Sequence, residues 1–342
     1  MWREVCLCRP PTTSTDVGCS RRIAQPARRF HDIVDVSARL FSSRNDGRTR
    51  RFAEVENTFA LRGFGTMTSS ALPDYSEQLS AFHRAFAMEL RTIVQNLPLA
   101  PTMEVLDVGS GDGFYMALLA ERLTAPGRIV GLDKNEAYIA AARERMAAAE
   151  VKCEFEFRHS DLKSLSESPP QYDLVWCAQS LYSLAEPVSS LSQMRAAVRP
   201  GGFVVVLEND TLHQLSLPWP PKLELALRTA EFQALREESS KPEKFYVGRR
   251  LPAVLAAAGL EPLGVKTYCI DRMAPLGDDL EQFVSAYLQD LFERTTRFLD
   301  ERAIRQIAEY LLPSGDSYLL REPWFALCWT NVVAWARRPV GD

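Results

Sequence analysis

Three glycines at alternate positions, Gly109, Gly111 and Gly113, stand where a short apolar run gives way to a helical pattern. Glycine adopts positive φ angles without strain and leaves no Cβ where a ligand must approach the backbone closely. The free backbone N–H groups at the start of the following helix face such a ligand. This glycine loop, residues 109–113, therefore predicts a binding site for a nucleotide-type ligand.

Three aspartates accompany the glycine loop. Asp107 precedes it, Asp112 lies within it, and Asp133 ends the next apolar run, twenty positions after Gly113. At that last position an acidic residue accepts hydrogen bonds from a ribose diol. Carboxylates repel phosphate, and a dinucleotide site more usually shows Gly-x-Gly-x-x-Gly with a pyrophosphate at the helix N-terminus. The pattern favours a ligand that carries a cationic sulfonium and an amino group.

The motif Val105-Leu-Asp-Val-Gly-Ser-Gly-Asp-Gly resembles the first motif of class I S-adenosylmethionine-dependent methyltransferases, of the type 11/25-like branch that acts on small molecules. The resemblance implies S-adenosylmethionine as cofactor, with its methionine part beside the glycine loop and its ribose on Asp133. It also implies that an acidic residue after the third strand contacts the adenine. The expected cofactor-binding residues are Asp107, Gly109, Ser110, Gly111, Gly113, Asp133, Lys134, Asp161, Leu162 and Gln179.

A second strand-to-loop transition lies at residues 172–182 and resembles the family's fourth motif, which lies between cofactor and substrate. Gln179, Ser180 and Tyr182 are therefore expected to line the reaction centre. Asp161 has an alternative interpretation, because an aspartate at such a position also caps turns.

Candidate proton acceptors follow the fifth predicted strand, in Glu208-Asn-Asp-Thr-Leu-His213. Open α/β sheets place their ligands at the carboxyl ends of the strands. His213 and Asp210 are therefore the predicted catalytic groups, although both residue types also cap or solvate turns.

The spacing of apolar residues predicts the helices that carry several of these candidate residues. Helical spacing predicts a helix over residues 75–97, which carries His83 as a candidate substrate contact. Two helical insertions, at about 209–249 and 276–322, are expected on one sheet edge, where they would build a lid. Tyr182, Tyr246 and Arg249 complete the predicted substrate contacts.

Seven strands in this order predict an α/β fold of Rossmann-like type. The sheet is mostly parallel, helices cover both faces, and the last strand is antiparallel. Strict alternation over residues 151–158 places that strand near a sheet edge. Residues 67–342 are expected to form the methyltransferase domain, together with the helical insertions.

Composition sets further bounds. The chain has 342 residues, 46% of them hydrophobic, and a formal net charge of −4, which argues against a general nucleic-acid binder. No apolar run approaches the roughly 20 residues of a membrane span. Seven scattered cysteines favour reduced thiols and a cytoplasmic protein, and the four histidines show no metal-ligand spacing.

Residues 1–66 differ from the rest, with twelve Arg against seven Asp plus Glu and no sustained apolar periodicity. They are expected to form a disordered arm or leader. A transit peptide, which would imply an organellar protein, is the alternative.

The predicted function is transfer of the methyl group of S-adenosylmethionine to an O, N, S or C nucleophile on a small molecule. A cofactor-binding regulatory or scaffold protein on the same fold is the first alternative. An NAD-dependent oxidoreductase is the second, although the chain lacks Gly-x-Gly-x-x-Gly. The acceptor and the oligomeric state are left open.

Overall fold

The structure is a computed structural model that describes residues 72–73, 75–150, 152–167, 169 and 171–341. The expectation for residues 1–66 lies outside this range. None of the helices in these ranges is long and apolar enough to cross a membrane.

Helices and strands alternate along most of the described chain. The helices are α1 (Ser76–Ala85), α2 (Ala87–Gln95), α3 (Phe114–Ala120), α4 (Glu136–Ala147), α5 (Pro187–Ala197), α6 (Pro221–Glu238), α7 (Leu251–Ala257), α8 (Asp278–Thr295) and α9 (Glu301–Leu311). The strands are β1 (Glu104–Val108), β2 (Arg128–Asp133), β3 (Glu154–His159), β4 (Tyr172–Ala178), β5 (Val198–Glu208), β6 (Leu215–Ser216), β7 (Glu261–Met273) and β8 (Ala326–Arg337).

All eight of these strands join one sheet. Its order is β3-β2-β1-β4-β5-β8-β6, and β7 pairs with β8 as well. Strands β1 to β5 are mutually parallel, whereas β8 runs antiparallel to β5, β6 and β7. The predicted Rossmann-like sheet with an antiparallel last strand is confirmed, and β3 lies at the predicted edge. The two-residue strand β6, inside the first insertion, is an addition to the seven strands expected.

The central strands are buried on both faces, which is why they read as continuous apolar runs in the sequence. Along β1, Val105 packs into one hydrophobic cluster and Leu106 into the other. The first cluster, on the face covered by α1, α2, α3 and α8, is rich in aromatic side chains. We call this side of the sheet the aromatic face.

The N-terminal helical segment is interrupted, contrary to the single helix expected over residues 75–97. The chain leaves helical geometry at Phe86, whose φ is −118° and whose ring is fully buried. The rings of Phe82 and Phe86 both contact Phe283 of α8 and Trp329 of β8. The break allows side chains on both sides of it to reach the same aromatic cluster.

The two insertions contact each other through charged groups. On α6, Arg228 donates to Glu231 at 2.9 Å, and Arg294 of α8 lies 3.7 Å from the other oxygen of Glu231. Arg228 and Glu231 are buried, so this ion-pair network connects the helices in the interior. Helix α8 also packs along α1, where Arg84 pairs with Asp279 at 2.6 Å.

Candidate active site

The glycine loop has the backbone geometry that its composition predicts. The φ angles of Gly109, Gly111 and Gly113 are +70°, +52° and +79°. A Cβ added to Gly109 would lie 2.4 Å from the Ser180 hydroxyl, so a side chain is excluded there, whereas a Cβ on Gly111 would meet nothing within 4 Å. The loop therefore packs on one side and leaves the backbone open to a ligand at its tip.

Asp133 is joined to the glycine loop. Its carboxylate accepts a hydrogen bond from the backbone N–H of Gly111 at 3.0 Å and another from Asn135 at 2.8 Å. The Gly109 N–H also donates to the carbonyl of Leu132 at 2.8 Å. These bonds bring the end of β2 beside the loop after β1, as the spacing of Gly113 and Asp133 predicts.

Asp107 and Ser110 present buried polar atoms towards this site. Within the described ranges, Oδ2 of Asp107 and Oγ of Ser110 have no hydrogen-bond partner. Burial, together with the neighbouring Asp133 carboxylate, raises the pKa of Asp107 to about 8. Asp112, in contrast, is engaged, because it pairs with Arg145 and accepts from the Phe114 N–H at 3.2 Å.

The predicted adenine side of the site lies at the ends of β2 and β3. The Ser160 N–H donates to the Asp133 carbonyl at 3.0 Å, and the His159 ring contacts the carbonyl of exposed Lys134 at 3.0 Å. Asp161 is exposed and accepts from the Lys163 N–H at 2.9 Å, which is the turn-capping geometry. Leu162 is buried beside it. The adenine role of Asp161 stays a prediction.

Gln179, at the end of β4, has a φ of +49°, in the left-handed region that side chains other than glycine rarely adopt. Such strain concentrates at functional sites, where the surrounding structure enforces it. The Tyr115 hydroxyl donates to the side-chain oxygen of Gln179 at 3.4 Å, and the Gln179 N–H donates to the Leu207 carbonyl at 2.8 Å. These bonds place Gln179 between the helix after the glycine loop and strand β5.

His83 lies over the same region, buried on α1. Its ring stacks on that of Phe114 with centroids 3.9 Å apart and meets Tyr115 edge-on at 5.6 Å. Neither ring nitrogen has a hydrogen-bond partner in the part of the chain that the structure describes. Burial lowers the pKa of His83 to about 4, so the imidazole is neutral at pH 7.

The two predicted proton acceptors lie in different environments. Asp210 is buried and forms a two-point ion pair with Arg249, one contact of which is 2.5 Å. The guanidinium of Arg249, a predicted substrate contact, is therefore engaged by the Asp210 carboxylate. His213 is exposed, its N–H donates to the Asp210 carbonyl at 2.8 Å, and its own carbonyl accepts from Thr330 at 2.8 Å.

The remaining predicted substrate residues lie where the first insertion contacts the end of β4. The ring of Tyr182 is 6.2 Å from Phe245, and that of Tyr246 is 5.8 Å from Phe232. The backbone of Gly248 lies so close to Asn209 that an added Cβ would meet the Asn209 carbonyl oxygen at 2.7 Å. The segment Pro242–Arg250 therefore packs tightly against the loop after β5.

Glu208 was not among the predicted site residues. This last residue of β5 is buried and accepts hydrogen bonds from the N–H groups of Leu181 at 2.5 Å and Tyr182 at 3.3 Å. Burial raises the pKa of Glu208 to about 8. The signal in the sequence was a carboxylate directly after an apolar run, in the same position relative to β5 that Asp133 has relative to β2.

No group of three or more His, Cys, Asp or Glu side chains within the described ranges has the arrangement of a metal site. The chemistry available here consists of ligand binding at the glycine loop, a neutral buried imidazole, and carboxylates whose protonation is shifted by burial.

Known proteins that are similar to this chain include methyltransferases. Residues 99–247 match the family model described as a methyltransferase domain. A ubiquinone biosynthesis O-methyltransferase of Bordetella bronchiseptica is 28% identical over 63% of this chain and 82% of its own length. A demethylmenaquinone methyltransferase of Bacillus cereus is 28% identical over 37% of this chain and 52% of its own. The chain spans about half the length of most of the curated relatives it matches.

Among solved structures, a methyltransferase from Thiobacillus denitrificans in complex with S-adenosyl-L-homocysteine superimposes with a TM-score of 0.43. It is 17% identical, and the match covers 78% of this chain and 99% of that one.

Proposed function

We propose that this chain, whose residues 99–247 belong to the methyltransferase domain family, is an S-adenosylmethionine-dependent methyltransferase that acts on a small molecule. The main support for the proposal is the contact between the glycine loop and Asp133, in which the Gly111 N–H donates a hydrogen bond to the Asp133 carboxylate at 3.0 Å. It brings an open backbone bend and a half-buried carboxylate to one place at the carboxyl edge of a parallel sheet.

The residues present fit S-adenosylmethionine. Asp107 has a buried carboxylate oxygen without a partner in the described ranges, suited to a ligand ammonium group, and Ser110 offers a buried hydroxyl of the same kind. Asp133 keeps further lone pairs for a ribose diol beyond the two backbone groups that it already accepts. A phosphate group at the loop would instead lie near the Asp133 carboxylate, and it would oppose ionisation of the Asp107 carboxyl, which a ligand ammonium group favours.

When bound, S-adenosylmethionine supplies a methyl group on a sulfonium, so its carbon forms a new bond to the nucleophile while its bond to sulfur breaks and sulfur keeps the electron pair. The protein then has to bind and align the two partners and exclude water, and alignment by itself contributes a large rate factor. The backbone bend at the glycine loop and the enforced conformation of Gln179 hold that alignment.

A nucleophile that carries a proton must also lose it. Asp210 is neutralised by Arg249, so its carboxylate serves the loop after β5 rather than the acceptor. His213 therefore stays the proposed proton acceptor. General-base catalysis of this kind contributes about 10²–10⁴-fold, and His213→Ala is expected to lower kcat with little change in cofactor affinity.

Hydroxylated aromatic compounds are the first acceptors to test, since the two relatives named above are a ubiquinone biosynthesis O-methyltransferase and a demethylmenaquinone methyltransferase. The full chain is incubated with S-adenosylmethionine labelled in the methyl group and with a panel of catechols and hydroquinones. Label in an organic product supports the proposal. Tight cofactor binding without transfer to any acceptor would favour the regulatory or scaffold alternative, and acceptor-dependent oxidation of NADH would favour the oxidoreductase.

A further inference from the structure

Asn331 is a polar side chain in the middle of an apolar strand. It lies in β8 between Trp329 and Val333, both of which pack in the aromatic face, and its side chain alternates onto that same face. Asn331 is 0% exposed. A buried amide among aromatic rings costs free energy unless its hydrogen bonds are made, so its presence here requires a partner.

The orientation of this amide is fixed by its neighbour. The indole Nε1 of Trp329 lies 3.4 Å from Oδ1 of Asn331, and an indole nitrogen can only donate. The atom beside Trp329 is therefore the amide oxygen. This leaves Nδ2 of Asn331 as a hydrogen-bond donor with no partner in the part of the chain that the structure describes.

A complementary atom lies across the strand pair. The register that pairs Glu208 with Val332, continued by one residue, places Asn209 opposite Asn331. The side-chain oxygen of Asn209 is buried and likewise lacks a partner in the described ranges. A donor and an acceptor thus share one register position at the carboxyl end of β5.

This position lies beside the cofactor site. The sheet order places β5 two strands from β1 and β8 three strands from it. At about 4.8 Å per strand this is roughly 10–14 Å from the glycine loop, the span of a small molecule next to a cofactor. Open α/β sheets bind ligands along this edge.

The surroundings define the charge of the ligand. Both amides are neutral, Asp210 next to Asn209 is already paired with Arg249, and the polar hydroxyl of Tyr287 accepts from Gln214 at 2.8 Å. A charged group buried against Asn331 would therefore lack a counter-ion, which costs several kcal/mol. One hydroxyl group, in contrast, accepts from one amide and donates to the other.

We propose that Asn331 and Asn209 form the recognition site for the methyl acceptor, and that this acceptor is uncharged and presents a hydroxyl group to them. The proposal rests on the proposed methyltransferase function and names its substrate class.

Two probes of matched shape test the charge. 4-Methylcatechol and protocatechuate differ at one ring position, where a methyl group replaces a carboxylate. Calorimetric titration of the full chain in the presence of S-adenosylhomocysteine is expected to show binding of 4-methylcatechol and at least tenfold weaker binding of protocatechuate. Equal affinity, preference for protocatechuate, or binding of neither would overturn the assigned acceptor class.

One variant and one control test whether Asn331 contacts the methyl acceptor. Asn331→Leu keeps the size and removes the donor, so it is expected to weaken 4-methylcatechol binding at least tenfold. It also leaves the buried Trp329 indole N–H without its acceptor, so acceptor affinity, and not the thermal midpoint, is the deciding readout. Thr295→Val is the control, since buried Thr295 bonds only to the helix backbone at 2.6 Å, and it should leave acceptor affinity unchanged.

Unchanged acceptor affinity in Asn331→Leu would show that the amide serves only the fold, through its contact with Trp329 or by holding a buried water. Affinity for S-adenosylhomocysteine is measured in the same titrations. Its absence in the unaltered chain contradicts the proposed function, whereas its presence with unchanged acceptor binding in Asn331→Leu contradicts this inference alone.

Discussion

Asp107 and His83 show how burial sets protonation in this site. Burial raises the pKa of the Asp107 carboxyl to about 8 and lowers that of the His83 imidazole to about 4. Both groups are therefore neutral at pH 7 in the ligand-free protein. A ligand that brings a positive charge to Asp107 would favour the ionised carboxylate and reverse this preference.

The free protein is expected to lose stability as the pH rises from 6.5 to 8. In this window the folded state still holds protons on Asp107 and Glu208, both with a pKa of about 8, whereas an unfolded chain has lost them near pH 4. His83 adds nothing here, because its lowered pKa affects stability only between about pH 4 and 6.5. Urea unfolding of Asp107→Asn should therefore show a shallower decline, by about 1–2 kcal/mol across the window.

A decline of equal slope in Asp107→Asn and in the unaltered chain would show that the carboxyl does not hold its proton. Glu208→Gln provides an independent second measurement, since it removes the other carboxyl with a raised pKa and leaves Asp107 in place.

The sequence predicts the arrangement of residues that are close along the chain. It does not predict side-chain contacts between residues that are far apart in sequence. The glycine loop and Asp133 are legible because glycine conformation and the length of one strand–helix–strand unit determine their spacing. The pairing of Asp210 with Arg249 joins residues 39 apart through an insertion with no repeating pattern. In the sequence, Asn331 is indistinguishable from an exposed strand residue. Its burial among aromatic side chains becomes known only from the structure.

The turn after β4 depends on the last residue of β5. Glu208 accepts from two N–H groups of the turn Leu181–Ser183, which contains the predicted substrate residue Tyr182. Because parallel strands end at the same edge, a side chain at the end of β5 can hold the turn after β4. Glu208 therefore positions this turn, and with it the backbone of the predicted substrate residue Tyr182.

Substitution of Glu208 should separate the role of its shape from that of its charge. Glu208→Ala leaves two buried N–H groups without their acceptor and should destabilise the protein by about 2–3 kcal/mol, with a raised KM for the acceptor. Glu208→Gln keeps the oxygen and the volume, and should stay close to the unaltered chain at pH 7. Equal loss of stability in both variants, measured by chemical denaturation, would show that the negative charge is what the turn requires.

At the level of elements, periodicity predicted the helices well but not their interruptions. Helix α8 lies within the insertion expected at about 276–322, and the side chains Leu280, Phe283, Val284, Tyr287 and Leu291 form a buried stripe along it. The break at Phe86 was not anticipated, since both halves of that segment keep the apolar spacing of one helix. The packing of Phe86 against Trp329 and Phe283 determines the break in the helix, and the local sequence contains no pattern that predicts this packing.

The packing of α6 against α8 rests on buried charge. Glu231 lies between Arg228 and Arg294 and is 1% exposed. Breaking one partner of such a pair leaves an uncompensated buried charge, whereas pairs in water contribute little. The insertions are thus joined by a buried ionic contact.

Glu231→Ala is expected to destabilise the protein by about 1–3 kcal/mol because it removes one of the two carboxylates that pair with buried Arg228 and also the one that faces Arg294, while Glu224 stays at 2.7 Å from Arg228. Glu237→Ala on the same helix is the control, since Glu237 pairs with Arg297 at 2.5 Å in an exposed position and its loss should cost under about 1 kcal/mol. Both are measured by urea unfolding at neutral pH. Equal effects of the two substitutions would contradict the structural role of the buried network.

For the whole molecule, the order of strands and helices followed from the sequence because each α/β unit has its own apolar pattern and turn signals. The mutual packing of the two insertions and the two-residue strand β6 did not, because the contact between Glu231 and Arg294 joins residues 63 apart and the pairing of Leu215 with Trp329 joins residues 114 apart. Long separations in sequence also explain why the contacts of the predicted substrate residues were harder to infer than those of the glycine loop and Asp133.

Calorimetric titration of the full chain with S-adenosylmethionine shows whether the glycine loop and Asp133 together bind this cofactor. Single-site binding is expected, with Asp133→Ala weaker by about 10- to 150-fold from the loss of hydrogen bonds to a charged acceptor. Asp173→Ala is the matched control, because Asp173 also accepts a backbone N–H, from Glu104 at 2.8 Å, but at the opposite edge of the sheet. Unchanged affinity in Asp133→Ala, or tighter binding of NAD⁺ than of S-adenosylmethionine, would contradict the account.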